Sequence, residues 1–477
     1  MDSKKERPNQ EYLDLKKTYE KNRIMLGEDH PDTLSSLGKL ADYYDRSGEY
    51  DEAIDLGEEL LSKHNKLYGK DAEVSVDTYL RLSSFYCHRR DFPAAIRLCR
   101  QAAARRTEQF GEDDSRTLSA MGRLANIYAA AGMSDEAIEL GRTVLRKRAE
   151  LLGSNNHSTI VSRDNLGTYY ADAGDYETAV RYGKEALRLF HEINDTPETI
   201  LACANRLSGY YSSLKRYDDA ISIEREVLSQ IRELQGENHP DTITVLNNLA
   251  LAYGRAHDVN RAVMYGLEAY EKCRNYYGEA HTETWKASRN LAQYYANANK
   301  YSVAIRLNRK NLNYAGHEFG ELAAETIATE LDLARSLFAS GEAEEAVRIG
   351  EAAVTHLRES VGYTDPMTLK AVGELADYYE EYGNLQEAIS LRCYVYEKLC
   401  IALGEKHRDT LKIACDLCEA SIRAGQIEEA LDLGNKILTP VREVYGKVNP
   451  VTQNLINNLK DALREYDRKE KENRQDG

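Results

Sequence analysis

Tryptophan occurs once and phenylalanine six times in 477 residues, and proline and cysteine eight times each. Eight cysteines are too sparse for a disulfide scaffold, and a reducing, cytoplasmic compartment is expected. No stretch approaches the ~18 uninterrupted apolar residues of a membrane-spanning helix, so a membrane is not an expected partner. The opening MDSKKERPNQEYLDLKK is polar throughout and lacks the apolar core of a secretory signal. Positive charge is in deficit: 63 Lys and Arg against 79 Asp and Glu leave a formal net charge of −16. Nucleic-acid binders draw their affinity from neutralised phosphates, so nucleic acid is not an expected partner either. The apolar share, 42%, is nevertheless too high for a disordered chain.

Tyrosine is in excess, with 33 copies, and it falls in a repeating order. An alanine followed by Ile, Val or Leu recurs at Ala53, Ala95, Ala137, Ala179, Ala220, Ala262, Ala304, Ala346, Ala388 and Ala430, in steps of 42 residues with one step of 41 after Ala179. Thirteen residues before each stands a leucine, Leu40, Leu82, Leu124, Leu166, Leu207, Leu249, Leu291, Leu333, Leu375 or Leu417. The next residue is always small, and three further on comes tyrosine in eight of the ten copies. Leucine, small residue and tyrosine at i, i+1 and i+4 share one face of a helix. Gly48, Gly132, Gly174, Gly341, Gly383 and Gly425 then occupy one turn register, where glycine takes positive φ without steric cost. A second helix starts at the alanine. A threonine twenty residues before that alanine (Thr33, Thr242, Thr284 and others) marks the start of the first helix. Each unit is therefore expected to be a helical hairpin.

These offsets resemble the tetratricopeptide repeat. The 42-residue period, with LGEDHPDT at 26–33 and GENHPDT at 236–242, resembles its kinesin-light-chain subclass. Arg90, Lys215, His257 and Asn299 depart from the turn glycine, and the loop at 70–78 lacks the HPDT form. The resemblance implies an all-α, right-handed superhelical solenoid of about ten helix-turn-helix repeats. Neighbouring hairpins stack because none buries its apolar face alone, so one continuous body is expected in place of three domains. The expected boundaries are a flexible start at 1–10, a capping helix at 11–27, ten repeats over 28–451, a capping helix at 452–466 and a charged flexible tail at 467–477.

Chemistry-bearing motifs are few. His30-Pro31-Asp32 and His239-Pro240-Asp241 lie 209 residues apart, which is five repeats less the single deletion, so they are one loop recurring. Loop histidines on successive repeats stand too far apart to meet at one zinc ion, whose ligands lie within ~2 Å. Cys393, Cys400, Cys415 and Cys418 fall near one hairpin, but Cys418 occupies the small-residue register, as a buried hydrophobe would. No nucleotide-binding loop, nucleophile elbow or HExxH is present. No catalytic residue, metal or cofactor is expected.

The resemblance implies that the first helices line a concave groove for a partner's peptide or helical segment. The residue before each leucine runs Lys39, Arg81, Arg123, Asn165, Arg206, Asn248, Asn290, then Asp332, Glu374 and Asp416: basic, amide, acidic. Adjacent registers add Asn126, Asn205, Asn247, Arg289 and Gln293. Amides donate and accept at once, which suits a peptide backbone, and charge at the ends would set direction. The competing reading is that these side chains bridge repeats or face water. A protein or peptide scaffold is the leading function, self-association through the end helices the second, and a metal or redox role for the four cysteines the third.

Overall fold

The computed structural model describes residues 10–475, with side chains described through Arg468. It is made of helices joined by short loops, with no strand among the described residues. Contacts divide the chain into two compact units, 1–248 and 249–477.

In the first unit, α1 (Gln10–Leu26) precedes the hairpins α2 (Pro31–Arg46) with α3 (Tyr50–Tyr68), α4 (Glu73–His88) with α5 (Phe92–Phe110), α6 (Ser115–Ala130) with α7 (Ser134–Leu152), α8 (His157–Asp172) with α9 (Tyr176–Glu192), and α10 (Pro197–Ser213) with α11 (Tyr217–Gln235). The unit ends within α12 (Pro240–Arg255). The second continues with α13 (Val259–Tyr277), then α14 (Thr282–Asn297) with α15 (Tyr301–Glu318), α16 (Ala324–Ser340) with α17 (Ala343–Ser360), α18 (Pro366–Tyr382) with α19 (Leu385–Leu403), and α20 (Arg408–Arg423) with α21 (Ile427–Tyr445). The last helix, α22 (Pro450–Gln475), corrects the expected tail: it runs past residue 466, so 467–475 is helical, while 476–477 lies outside the described residues. The charged sequence there has no breaker, which is why the helix continues once residues 450–466 have nucleated it. Of the expected flexible start, 1–9 lies outside the described residues and Gln10 opens α1.

Each motif position has a mechanical role. The ten alanines are 1% exposed or less, and the ten leucines are buried. Burying one leucine contributes about 1.5–3 kcal/mol. The small residue lets the two helices of a hairpin touch: a Cβ on Gly167 would lie 3.4 Å from the Ala179 carbonyl oxygen. In several copies the tyrosine hydroxyl, which phenylalanine lacks, reaches the second helix of the preceding hairpin. Arg100 donates to Tyr128 Oη at 2.6 Å, Arg142 to Tyr170, and the Tyr86 and Tyr379 hydroxyls donate to Glu58 and Glu351. Burial beside a carboxylate pushes the Tyr86 hydroxyl up to about 12.

The inter-repeat loops are stapled. Thr33, Thr242, Thr284, Thr326, Thr368 and Thr452 each donate a hydroxyl hydrogen to the carbonyl of the glycine six residues earlier, at 2.7–2.8 Å. The histidine of the HPD loop is a helix cap: Nδ1 of His30, His239, His281 and His407 accepts the backbone N–H two residues on, at 3.2–3.3 Å. Asp114, Asn156 and Asp365 do the same with side-chain oxygens.

Candidate functional site

Within each unit the first helices of successive hairpins approach one another directly, α4 to α6, α6 to α8 and α8 to α10 in the first unit, and α14 to α16 in the second. Their outward side chains therefore form a surface on which residues about one period apart meet. Of the twelve candidates, seven are engaged there. Arg81 pairs with Asp42 at 3.3 Å, and Arg123 donates to Ser84 Oγ at 2.9 Å and to the Leu80 carbonyl at 3.4 Å. Asn126 accepts from the Tyr169 hydroxyl. Arg206 reaches the buried Asp164, 3.3 Å from its Nε. Asn248 donates to Asn205 at 2.8 Å. In the second unit Arg289 pairs with Asp332 at 2.8 Å. The other five, Lys39, Asn165, Asn247, Asn290 and Gln293, lie exposed or half-buried and bond no other described residue.

The sequence left open whether these side chains line a groove or bridge repeats; seven of them bridge, and five make no such bond. The acidic end is braced too: Arg335 spans from Asp332 (3.2 Å) to Glu374 (2.8 Å), and Arg423 reaches Glu380. A signal was available, since these partners stand 39–43 residues apart with opposite charge or matched donor and acceptor. Thr168 and Tyr210, at 3.0 Å, belong to the same ladder and were missed because each fits a structural register.

Two clefts open on this surface in the first unit. One, about 440 Å³, is walled by Asp42, Asp77, Arg81, Arg106 and Arg123, with Arg106 on Asp77 and Arg81 on Asp42. The other, about 430 Å³, holds Ser84, Ser119, Arg123, Asn126, Arg148 and Asn165, and no Asp or Glu lines it. Arg148 donates to Ser162 Oγ at 2.8 Å, the Ser158 carbonyl at 3.1 Å and Ser119 Oγ at 3.2 Å, all neutral groups. Burial lowers its pKa from the ordinary guanidinium value. A third cleft, about 520 Å³, lies in the second unit between α18, α19 and α20, with Leu369, Leu399 and Ile413 beside Lys370, Lys412 and Asp416.

One buried carboxyl stands behind the ladder. Glu224 on α11 is 1% exposed, with Oε2 unpartnered. Burial pushes its pKa up to about 7, against hydrogen bonds from Ser208 and Asn248 that lower it. The cysteines are free thiols. Cys418 lies against the Ala430 carbonyl at 3.3 Å, and burial pushes Cys415 up to about 12 and Cys418 to about 11, away from reactive thiolate. Among the described residues no group of His, Cys, Asp or Glu is arranged to hold a metal ion, and no helix is long and apolar enough to cross a membrane.

Residues 75–150, 124–192 and 200–273 match one tetratricopeptide repeat model, and 33–71 match another. No match to a curated protein reaches significance. Among solved structures, a Podosopora anserina chain described as a kinesin light chain with nearly identical TPR-like repeats is 20% identical, covering 43% of this chain and 97% of its own, with TM-score 0.40. RapI in its apo form is 17% identical over 78% of this chain and 99% of its own, TM-score 0.48. The apo quorum sensor NprR from B. thuringiensis is 13% identical over 77% and 98%, TM-score 0.49. Repeats of this class generally mediate protein–protein interactions. With its leucine, alanine and tyrosine registers each in the expected mechanical role, this chain carries tetratricopeptide repeats.

Proposed function

We propose that the chain is a non-enzymatic, cytoplasmic interaction scaffold whose first helices form a concave groove for a peptide or helical segment of a partner protein. The observation that carries this is the division of labour on the first-helix face. In the first unit the Asn205–Asn248 brace fixes the surface while Asn165 and Asn247 keep their amides unspent; in the second, Arg289–Asp332 does so while Asn290 and Gln293 keep theirs. Prepositioned amides lose little freedom on binding and can take a peptide's N–H and C=O groups together. The test is affinity capture from native lysate at low salt, followed by binding measurements on the partner identified. Asn247→Ala with Asn290→Ala should weaken that partner about tenfold or more, roughly 1.4 kcal/mol, with the helical content unchanged. Unchanged affinity would place the partner elsewhere.

Self-association is the second reading, favoured by α1, which buries no residue and leaves Ile24 79% and Met25 72% exposed. A mass independent of concentration in light scattering removes it.

A further inference from the structure

The two clefts of the first unit differ in charge balance. In one, Arg81 and Arg106 each sit on a carboxylate. In the other, Arg123 and Arg148 face a common space and touch only hydroxyl and carbonyl oxygens. Two guanidinium charges beside one cavity, without a carboxylate in its lining, repel each other and draw an anion. Arg123 also borders the acidic cleft beside Asp42 and Asp77, but neither it nor Arg148 is ion-paired with a carboxylate. Of the other ionisable groups in the lining, His88 has its Nδ1 on Asp45 at 2.8 Å, and burial raises the Cys87 thiol pKa. The lining adds amide donors from two helices, Asn126 on α6 and Asn165 on α8, while the Ser84 and Ser119 hydroxyls already donate to the Leu80 and Ser115 carbonyls. The room exists because Gly122 carries no side chain; a Cβ there would meet only Val144, at 4.0 Å. In the same register of another repeat Leu80 is buried.

We infer that the cleft between α4, α6, α7 and α8 binds a phosphoryl dianion carried on a side chain of a partner protein. Two uncompensated positive charges are neutralised by one dianion, whereas a carboxylate leaves one standing. A phosphoryl group also offers three oxygens to the two guanidinium edges and the asparagine donors. The assignment to a partner's side chain rests on the scaffold reading above; the anion chemistry of the cleft does not.

The test uses the full chain and three peptides of one sequence, Ala-Ala-X-Ala-Ala with blocked ends, where X is phosphoserine, glutamate or serine. Inorganic phosphate is a fourth probe. Arginine Nε–Hε resonances report binding. The phosphoserine peptide should shift the Arg123 and Arg148 signals saturably and compete with inorganic phosphate, and the serine peptide should not. Arg123→Gln should weaken it at least about tenfold, one charge-assisted contact. Because Arg148→Gln also removes bonds to α8, Gly122→Leu is the second variant: it fills the cleft without altering charge and should abolish the response. Arg146→Gln, an exposed neighbour on the same helix, should change nothing. Absence of a saturable shift, equal binding of the glutamate peptide, or inorganic phosphate binding while the phosphoserine peptide is excluded each overturns the inference. Peptide binding here can succeed while the Asn247/Asn290 variant leaves partner affinity intact, or the reverse, so the two proposals fail separately.

Discussion

Arg90, Lys215, His257 and Asn299 stand where six copies carry glycine, and all four keep a left-handed backbone, with φ of 66°, 58°, 60° and 56°. The turn geometry is dictated by the hairpin and the side chain tolerates it, at a cost of about 1–2 kcal/mol for an L-residue, less for asparagine. Arg90→Gly and Lys215→Gly should therefore raise stability by roughly 1 kcal/mol each, partly offset by the freedom glycine gains when unfolded, and Asn299→Gly by less. Urea midpoints at constant slope check this. Glu224 gives the converse case. Its folded pKa, near 7, lies above the ordinary glutamate value of about 4.3, so the folded state holds the proton longer than the unfolded one. Stability then falls as pH rises from about 4.3 through 7, and levels off above. Glu224→Gln should remove that fall, leaving the variant more stable than the parent by a few kcal/mol at pH 8 and near parity at pH 4. A flat difference between the two curves would show that the carboxyl is solvated.

At the scale of the helix, the fourth residue after each alanine faces the next repeat, and its size is matched there. Gly57 meets Phe85, Gly141 meets Tyr169, Gly266 meets Tyr294 and Gly350 meets Tyr378, each close enough that an added Cβ would lie 2.7–3.3 Å from the ring. Where the register holds Asn308, the opposing residue is Ser336, hydrogen-bonded at 3.3 Å. Gly266→Ala should cost about 1–3 kcal/mol from overpacking, less the 0.5–1 kcal/mol that alanine returns to a helix. Added to Tyr294→Ser, it should cost nearly nothing, and a double-mutant cycle reads the coupling. The hairpins, their leucines and alanines and the left-handed turn were legible in the sequence, because each depends on residues within one unit. The facing pairs, the tyrosine hydroxyl bridges and the Asp42–Arg81 and Asn205–Asn248 braces were not, because they require knowing which turn of one helix meets which turn of another. For that reason seven candidate partner-binding side chains proved to be spoken for by neighbours.

For the molecule as a whole, hairpins touch mainly their neighbours, so disturbance stays local. Ala346→Leu, in the core of the second unit, should cost about 1–3 kcal/mol and lower amide protection across α16–α18. Hydrogen exchange within residues 1–248 should stay as in the parent, and its simultaneous loss would mean that the units unfold as one. The matched sizes at facing turns have a consequence for heredity. Excising residues 321–362, one full period, preserves the reading frame and every hairpin signature, yet sets Asn308 where Gly350 now accommodates the Tyr378 ring. Unequal crossover between copies thus yields chains that look regular but jam at the junction. Such a gene can lengthen or shorten only where donor and recipient happen to share the same lock and key.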